Sequence, residues 1–332
     1  MTEKPTVVVF GATGFVGRAT VDELCSRAAA VKTLRTPRLP PSPANQIHEV
    51  LASHDALVAE IAQQLAGADA VVNAAGNPDA SLRDEASLMA ANALLPALLA
   101  RAIHAAGVPR FVHVSSAVVQ GAAPRLDQSA RTAAFSAYSR SKVLGELLVQ
   151  ELAAPATVVY RPPSVHALDR RVSQMTARIA RSPISSVARP GSSPSPQTLL
   201  KNVADAIAFL ATTEAQPPPI VAHPSEGLTT ASLLTYLGGR QPLEIPRSLA
   251  KAVVAMLTAG GKVMPQIAAN ARRVEMLWFG QSQAPSWLTE AGWSPPAGHD
   301  AWRELGRLLA ENSAGRANPQ PSDDTDSRRF SR

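Results

Sequence analysis

The sequence has few of the residues that form disulfides and metal clusters. Cys25 is the only cysteine among 332 residues, which excludes an internal disulfide bond and a cysteine-based cluster. Its place in an amphipathic helical pattern predicts a small core residue. The seven histidines show no metal-ligand spacing such as His-x-x-x-His, so no metal site is predicted.

Charged and aromatic residues are also scarce. Charged residues make up 17% of the chain, aromatic residues 4% and hydrophobic residues 45%, a balance that excludes a wholly disordered chain. The net charge is +6, but Lys and Arg form no block, so we expect no nucleic-acid partner. The positive excess fits a mild field over a soluble protein, or attraction of an anionic ligand.

No segment predicts secretion or membrane insertion. The first residues lack an apolar run followed by a cleavage site. The apolar stretch 249–257 is interrupted by Lys251 and is too short to cross a bilayer. We therefore expect a cytoplasmic location and no membrane partner.

Predicted strands and helices alternate along the first half of the chain. The β-branched run at 6–10 is typical of a buried parallel strand. The predicted strands are 6–10, 31–35, 48–51, 70–73, 110–114 and 157–160, and the predicted helices are 15–28, 55–65, 83–106 and 135–152. This alternation predicts an α/β fold with a Rossmann-type doubly wound parallel sheet, whose strand ends meet at one edge.

The second half of the chain predicts a smaller cap. Residues 1–162 are expected to form the Rossmann domain, and segments near 197–225 to return to it. Residues 163–311, rich in Ser and Pro near 182–196, are expected to form mainly a discontinuous C-terminal substrate-binding cap. Residues 312–332 are polar, which predicts a disordered tail.

A glycine-rich turn follows the first strand. The segment Gly11-Ala12-Thr13-Gly14-Phe15-Val16-Gly17 connects this strand to an amphipathic helix. Glycines permit a tight turn and close approach of a pyrophosphate, and the free N–H groups of the helix N-terminus attract the anion. A purely structural turn is the alternative, but the strand-turn-helix context favours a dinucleotide site.

Tyr138 and Lys142 lie four residues apart on a predicted helix. Residues at i and i+4 share a helix face, so the ammonium can approach the phenol. A nearby cation lowers a phenol pKa from about 10, and such a tyrosine can exchange protons near neutral pH. An exposed helix face is the alternative. The position after the fifth predicted strand favours catalysis.

Ser115 and Ser116 end the fifth predicted strand, at the edge where the other motifs converge. A hydroxyl at this edge can hydrogen-bond a reacting carbonyl or alcohol. The alternative is a serine that only caps the following loop. Ser116 is the favoured candidate.

These motifs resemble the extended short-chain dehydrogenase/reductase family, in particular its NAD-dependent epimerase/dehydratase branch, over nearly the whole chain. Gly11, Gly14 and Gly17 match its G-x-x-G-x-x-G motif. Tyr138 and Lys142 match its catalytic pair. The other matching parts are 71–76 beside the cofactor, Asn92 behind the active site, 115–121 with Ser116 as the catalytic serine, 160–165 beside the nicotinamide, and 290–295.

The resemblance implies hydride transfer at a carbinol or carbonyl carbon. Tyr138 would be the acid or base, Lys142 would lower its pKa and hold a ribose, and Ser116 would orient the substrate oxygen. The implied cofactor contacts are Gly11, Thr13, Gly14, Phe15, Val16, Gly17, Ala74, Ala75, Gly76, Asn92, Tyr138, Lys142 and Pro162.

The sequence departs from the family pattern at a few positions. Gln120 and His166 stand where the family has tyrosines, and Ser164 replaces an Asn of several sugar-nucleotide epimerases. The third predicted strand has no acid at its end unless Asp55 takes that place. These departures keep the catalytic set and leave the substrate open.

Arg35 predicts a preference for NADP(H) over NAD(H). In this fold an acid at the end of the second strand holds the adenosine ribose, whereas an Arg accommodates a 2′-phosphate. Arg35 lies at this place, and no Asp or Glu occurs between Glu23 and Glu49. A solvated Arg35, with backbone amides around an unphosphorylated ribose, is the alternative.

Three functions fit these observations. The leading prediction is an NAD(P)-dependent oxidoreductase or epimerase with a small-molecule substrate, a nucleotide-linked sugar being the first choice. A steroid- or flavonoid-like hydrophobic alcohol or ketone is the second candidate, and a non-catalytic NAD(P)-sensing regulatory protein is the third. Retention of Ser116, Tyr138 and Lys142 favours an enzyme. A homodimer is one assembly compatible with the sequence.

Overall fold

The computed structural model describes residues 4–27, 29–79, 82–152, 156–261, 272 and 274–317. Its strands are β1 (Thr6–Phe10), β2 (Ala30–Leu34), β3 (Ala70–Asn73), β4 (Arg110–Val114), β5 (Arg125–Leu126), β6 (Thr157–Arg161), β7 (Ser164–His166), β8 (Ser186–Ala188), β9 (Gln197–Leu199), β10 (Ile220–Ala222), β11 (Leu243–Ile245) and β12 (Ser282–Gln283). Six of these strands form one parallel sheet in the order β10-β6-β4-β3-β1-β2. The predicted α/β, doubly wound fold is confirmed.

The helices lie mostly between consecutive strands. They are α1 (Phe15–Ser26), α2 (Ile47–Ala52), α3 (Asp55–Gln64), α4 (Glu85–Met89), α5 (Leu95–Ala105), α6 (Ala137–Leu152), α7 (Arg171–Arg181), α8 (Leu200–Thr212), α9 (Thr230–Gly238), α10 (Arg247–Gly261), α11 (Trp287–Glu290) and α12 (His299–Ala317). A π-helical stretch, Ala90–Leu94, joins α4 to α5, and residues 274–279 are also helical.

Helices cover both faces of the sheet, which explains the continuous apolar character of β1. Val7 and Val9 lie in a core with residues of α1 and α8. Val8 and Phe10 lie in a second core with residues of α3, α5 and α6. A strand that is buried on both faces needs apolar side chains at consecutive positions rather than at alternate ones.

The strand order places the predicted motifs at one edge. β1, β3, β4 and β6 are parallel neighbours, so their carboxyl ends lie side by side. The glycine-rich turn, Ala74, Ser115 and Pro162 follow these four strands. This edge is where ligands bind in open parallel sheets.

The cap packs around Trp302, which is fully buried on α12. Ala177 of α7 and Leu233 and Leu237 of α9 share this cluster. Two short parallel ladders, β7 with β9 and β8 with β11, lie in the same half of the chain. The segment from α8 to β10 lies between β9 and α9 in sequence and returns to the Rossmann half. There α8 packs on α1, and β10 pairs with β6.

A buried carboxylate connects the cap to the sheet. Glu226 accepts hydrogen bonds from Thr198, from Asn202 and, at 3.0 Å, from the indole N–H of Trp302. His223 lies 3.1 Å from the same carboxylate and 2.6 Å from the Tyr160 hydroxyl at the end of β6. A satisfied network of this kind specifies how the two halves pack.

Several sequence expectations were wrong. Residues 48–51 form part of α2 rather than a strand, because Ile47 and Leu51 recur at helical spacing and are both buried. Asp55 therefore does not follow a strand; it begins α3 and pairs with Arg101 at 2.7 Å. Cys25 is exposed on α1 instead of lying in the core.

The predicted tail also begins too early, since α12 continues to Ala317. The rest of the predicted tail, 318–332, lies outside the described residues.

One apolar helical run, Glu85–Ala105, is 21 residues long. Of the described helices, the run Glu85–Ala105 alone is long and apolar enough to cross a membrane, and 78% of its apolar window is buried inside the fold. Its residues pack against α3 and α6. A core helix of this kind passes the same length and hydropathy test as a membrane span.

Candidate active site

The glycine-rich turn brings β1 close to the strand-β3 loop. Gly11 has φ +78°, and a Cβ there would lie 2.5 Å from the Ala75 nitrogen. A Cβ on Gly17 would lie 2.0 Å from the Gly11 carbonyl oxygen. No larger residue fits either position without backbone movement, so these two glycines are required for packing of the turn.

Gly14 begins α1 without a side-chain cap. Its backbone is extended, and its N–H donates to the Gly11 carbonyl at 2.9 Å. The first N–H groups of a helix have no partner within the helix, so those that follow Gly14 are free to meet an anion. Phe15 and Val16 stand at this helix start.

The loop after β3 leaves a hollow in front of Lys142. Gly76 has φ +151°, and a Cβ on it would lie 2.7 Å from the Asn92 side-chain oxygen and 3.6 Å from Lys142 Nζ. Asn92 holds the loop from behind: its Oδ1 accepts from the Asn77 N–H at 2.9 Å, and its Nδ2 donates to Ser141 Oγ at 3.0 Å. The absence of a side chain at Gly76 thus gives access to the lysine amine.

Tyr138 and Ser116 line the same cavity at the carboxyl edge of the sheet. Burial raises the pKa of the Tyr138 phenol above its usual 10, while Ser116 and the positive charge of Arg170 act to lower it. Ser116 Oγ also accepts from the Val118 N–H at 3.3 Å. The serine therefore caps the next turn and also lines the cavity that contains Tyr138.

Lys142 lies on α6 and is buried against the end of β4. It is 6% exposed, and its Nζ donates to the Val114 carbonyl at 3.1 Å. Burial lowers the pKa of Lys142 to about 8, and the negative charge of Glu146 opposes this shift. The expected effect of Lys142 on the Tyr138 pKa stays a prediction.

A buried ion pair lies beneath the site. Arg161 at the end of β6 and Glu146 on α6 approach to 2.6 Å, both almost fully buried. Ser115 Oγ donates to the same carboxylate. Because the Ser115 hydroxyl is hydrogen-bonded to Glu146, Ser116 rather than Ser115 is available to act with Tyr138.

These groups open into a cavity of about 740 Å³ between the Rossmann half and the cap. Ten of the predicted site residues line it: Gly14, Phe15, Val16, Ala74, Ala75, Gly76, Ser116, Tyr138, Lys142 and Pro162. The cavity joins the helix start of α1, the hollow at Gly76 and the two hydroxyls. A volume of this size is in the range of small-molecule and cofactor sites.

Comparison with known proteins identifies the family. Residues 7–219 match the NAD dependent epimerase/dehydratase family. The chain is an enzyme of this family. A search of curated protein sequences gives no significant match.

Solved structures with a similar fold include reductases and epimerases. One is dTDP-4-dehydrorhamnose reductase from Bacillus anthracis in complex with NADP, with 17% identity, 93% of this chain and 100% of that chain covered, and a TM-score of 0.61. Another is UDP-glucuronic acid 4-epimerase from Bacillus cereus in complex with NAD, with 16% identity, 92% of this chain and 99% of that chain covered, and a TM-score of 0.60. A third is human epimerase family protein SDR39U1 with NADPH, with 20% identity, 91% of this chain and 99% of that chain covered, and a TM-score of 0.61. At these identities the similarity shows the fold, which agrees with the strand order described above.

The residues of this family member fit a nicotinamide dinucleotide. The start of α1 offers unpaired N–H groups to a diphosphate. The hollow at Gly76 would be filled by any Cβ, and Lys142 Nζ lies behind it. Gly14, Phe15, Gly76 and Lys142 are therefore the residues that would hold such a cofactor.

Five predicted cofactor contacts lie outside the cavity lining. Gly11 and Gly17 shape the turn through backbone packing, and Asn92 supports the Gly76 loop from behind. Thr13 and Arg35 are exposed, Thr13 in the turn and Arg35 just after β2. The cofactor contacts of Gly11, Gly17 and Asn92 stay predictions, and the structure shows that these residues also support the turn and the Gly76 loop.

Two charged residues that the sequence analysis did not single out belong to the site. Glu146 is four residues after Lys142 on α6, so helical periodicity alone would have placed it on the same face. Arg170 precedes α7 and lines the cavity from the cap side. No local pattern marks Arg170, since the packing of the cap brings it to the site.

The departures from the family pattern have structural explanations. Gln120 exchanges hydrogen bonds with Asp127, at 2.7 and 2.9 Å. His166 is buried against Trp302 and lies 2.9 Å from the Gln197 side-chain oxygen, and burial lowers its pKa to about 4. Ser164 lines the cavity. Among the residues that the structure describes, no three His, Cys, Asp or Glu side chains are grouped as metal ligands.

Proposed function

We propose that this enzyme transfers hydride between a nicotinamide cofactor and a hydroxyl or keto carbon of a small molecule, as an NAD(P)-dependent oxidoreductase or epimerase. The observation that carries the proposal is the placement of Tyr138, Ser116 and Lys142 in one cavity with the start of α1. The family match supports the dependence on a nicotinamide cofactor.

Tyr138 is the proposed acid or base. Because burial raises its pKa, the phenol is protonated at neutral pH and can donate its proton to a carbonyl oxygen. In the opposite direction it accepts the proton of a substrate hydroxyl. The nicotinamide, when bound, supplies or accepts the hydride at the carbon.

Ser116 and Lys142 have different proposed tasks. Ser116 orients the substrate oxygen beside Tyr138, since the two side chains line the same cavity. Lys142 reaches the hollow at Gly76 and would donate to ribose hydroxyls of the cofactor. The buried ion pair of Glu146 with Arg161 supports this part of the site, and the negative charge of Glu146 favours the protonated form of Lys142.

The choice between NADP(H) and NAD(H) depends on Arg35. We propose NADP(H), because Arg35 is exposed at the end of β2 and no carboxylate among the described residues pairs with it. A guanidinium free of an internal partner can bind a 2′-phosphate through paired hydrogen bonds.

Two substrate classes have support. Names of structural neighbours, such as UDP-glucuronic acid 4-epimerase, favour a nucleotide-linked sugar. The aliphatic side chains on the cap side of the cavity, Val172, Met175 and Ile179 among them, favour a hydrophobic alcohol or ketone. A cytoplasmic location and a homodimer remain predictions from the sequence.

The proposal is tested by identifying what the purified protein binds and turns over. Native mass spectrometry of the full chain should show a bound nicotinamide dinucleotide. With keto or hydroxyl compounds of the two classes, an oxidoreductase should change the reduced-nicotinamide absorbance and an epimerase should invert a carbinol centre of the compound; Ser116→Ala should slow either reaction. Cofactor binding with neither an absorbance change nor an epimerised product, for every compound of both classes, would contradict the proposal.

A further inference from the structure

The cap side of the cavity is apolar. α7, α9 and the helical segment at 274–279 contribute aliphatic side chains to this wall, among them Val172, Met175, Ile179, Leu233, Met276 and Leu277. Burial of apolar surface is the dominant favourable contribution when such a wall binds a ligand. A strongly polar nucleoside diphosphate gains little from contact with these side chains.

Most polar groups along this wall already have partners. Gln197 lies 2.9 Å from His166 Nε2. Arg272 donates to Glu275 at 2.7 Å and to the Gly121 carbonyl at 3.2 Å. Neither side chain is therefore a free site for the charges of a ligand.

Arg170 is different, because its charge is not paired. Within the described part of the chain it forms no ion pair, and its Nε is buried without a hydrogen-bond partner. Its guanidinium carbon lies 4.5 Å from the centroid of the Phe15 ring, at the cofactor turn. Arg170 and Tyr138 line the same cavity.

A buried donor without a partner destabilises a folded protein unless a ligand satisfies it. Guanidinium carries its donors in a fork that matches the two oxygens of a carboxylate. An anionic group held here would lie in the cavity that Phe15, Tyr138 and Ser116 also line. A single free cation matches one carboxylate better than the two charges of a diphosphate.

We propose that the substrate is an apolar molecule with a carboxylate next to the reacting hydroxyl or keto carbon, that Arg170 binds this carboxylate, and that the aliphatic cap wall buries the rest. This inference rests on the proposed function for the position of the reacting carbon. It makes Arg170 the residue that determines specificity for an acid.

The test is binding to the full-length protein saturated with NADP⁺, measured by calorimetry. The probes are 2-oxo-4-phenylbutanoate, its ethyl ester and UDP-glucose. The wild type should bind the acid more tightly than either other probe. Arg170→Met should weaken binding of the acid by about 10- to 100-fold, leave the ester unchanged and so remove the preference.

Arg171→Met is the matched control, because Arg171 is exposed and adjacent in sequence. It should retain the preference for the acid. Arg170→Lys, which keeps the charge without the fork, should retain part of the preference and provides a second variant if Arg170→Met fails to fold.

Three results would overturn the inference. The first is that the wild type binds UDP-glucose more tightly than the acid or the ester. The second is that folded Arg170→Met keeps the wild-type ratio of acid to ester affinity. The third is that Arg170→Met loses affinity only for NADP⁺, which would assign Arg170 to the cofactor diphosphate. The readout needs no turnover. An acid preference in a protein without activity would leave this inference standing while the proposed function fails.

Discussion

Lys142 is a buried amine, and its removal should stabilise the folded protein while it impairs function. The side chain is 6% exposed, and burial lowers its pKa from the usual 10.5 to about 8. Protonated lysine is therefore disfavoured in the folded state. The perturbation is Lys142→Met, which keeps a similar volume and removes the charge.

The magnitude follows from the two pKa values. A fall from 10.5 to about 8 means that the charged form destabilises the fold by about 3 kcal/mol at pH 7, where both states are protonated. The variant also loses the hydrogen bond from Nζ to the Val114 carbonyl, which is worth about 1 kcal/mol. The expected net gain is about 2 kcal/mol at pH 7.

The gain should depend on pH with a definite sign. Between pH about 8 and 10.5 the unfolded chain binds the proton and the folded chain has lost it, so the free energy of unfolding of the wild type rises with pH across this window. Near pH 9.5 the remaining penalty is about 1 kcal/mol, which the hydrogen bond offsets. Wild type and Lys142→Met should then be about equally stable.

Urea unfolding followed by tryptophan fluorescence, without cofactor, measures both stabilities at the two pH values. Lys201→Met is the control, because Lys201 is exposed on α8 and should show no pH-dependent difference. A Lys142→Met variant that is less stable than the wild type at pH 7, or a difference that does not change with pH, would show that burial of the charged amine does not destabilise the fold.

Two further predictions concern the cofactor. Gly14→Val places a branched side chain at the start of α1, where even a Cβ lies 3.1 Å from the Gly11 carbonyl oxygen. A calorimetric titration should show a dissociation constant for NADPH that is at least about tenfold higher than in the wild type. Unchanged affinity would show that the turn is not part of the cofactor site. Arg35→Ala should weaken NADPH by about tenfold and leave NADH unchanged, because only NADPH carries the 2′-phosphate. Equal or tighter binding of NADH by the wild type would show that the preference for NADP(H) is wrong.

The sheet could be predicted from local patterns, and the misread segment shows their limit. The run at 6–10 is consecutive and β-branched, and the structure buries it on both faces as β1. Residues 48–51 are too few to distinguish a strand from a helix turn. Tertiary packing decides there, because Ile47 and Leu51 meet the core only when they share a helical face.

The site residues also fall into two groups, those that local motifs predict and those that only tertiary packing brings together. Gly14, Ser116, Tyr138 and Lys142 were found because each belongs to a short motif at a strand end or on one helix face, and the structure brings them to one cavity. Arg170 and the aliphatic wall come from separate cap segments. Their meeting depends on how α7, α9 and 274–279 pack, which no local spacing encodes.

The central claim is that Tyr138 exchanges the proton with the substrate oxygen. The most direct measurement is the single-turnover rate of nicotinamide oxidation by Tyr138→Phe, with the substrate found in the binding and turnover screens and with cofactor affinity measured in parallel. The rate of the Phe variant should be about 10² to 10⁴ times lower than that of the wild type, with cofactor affinity and fold retained. A Phe variant with a near-normal rate would contradict the claim and leave Tyr138 a structural residue.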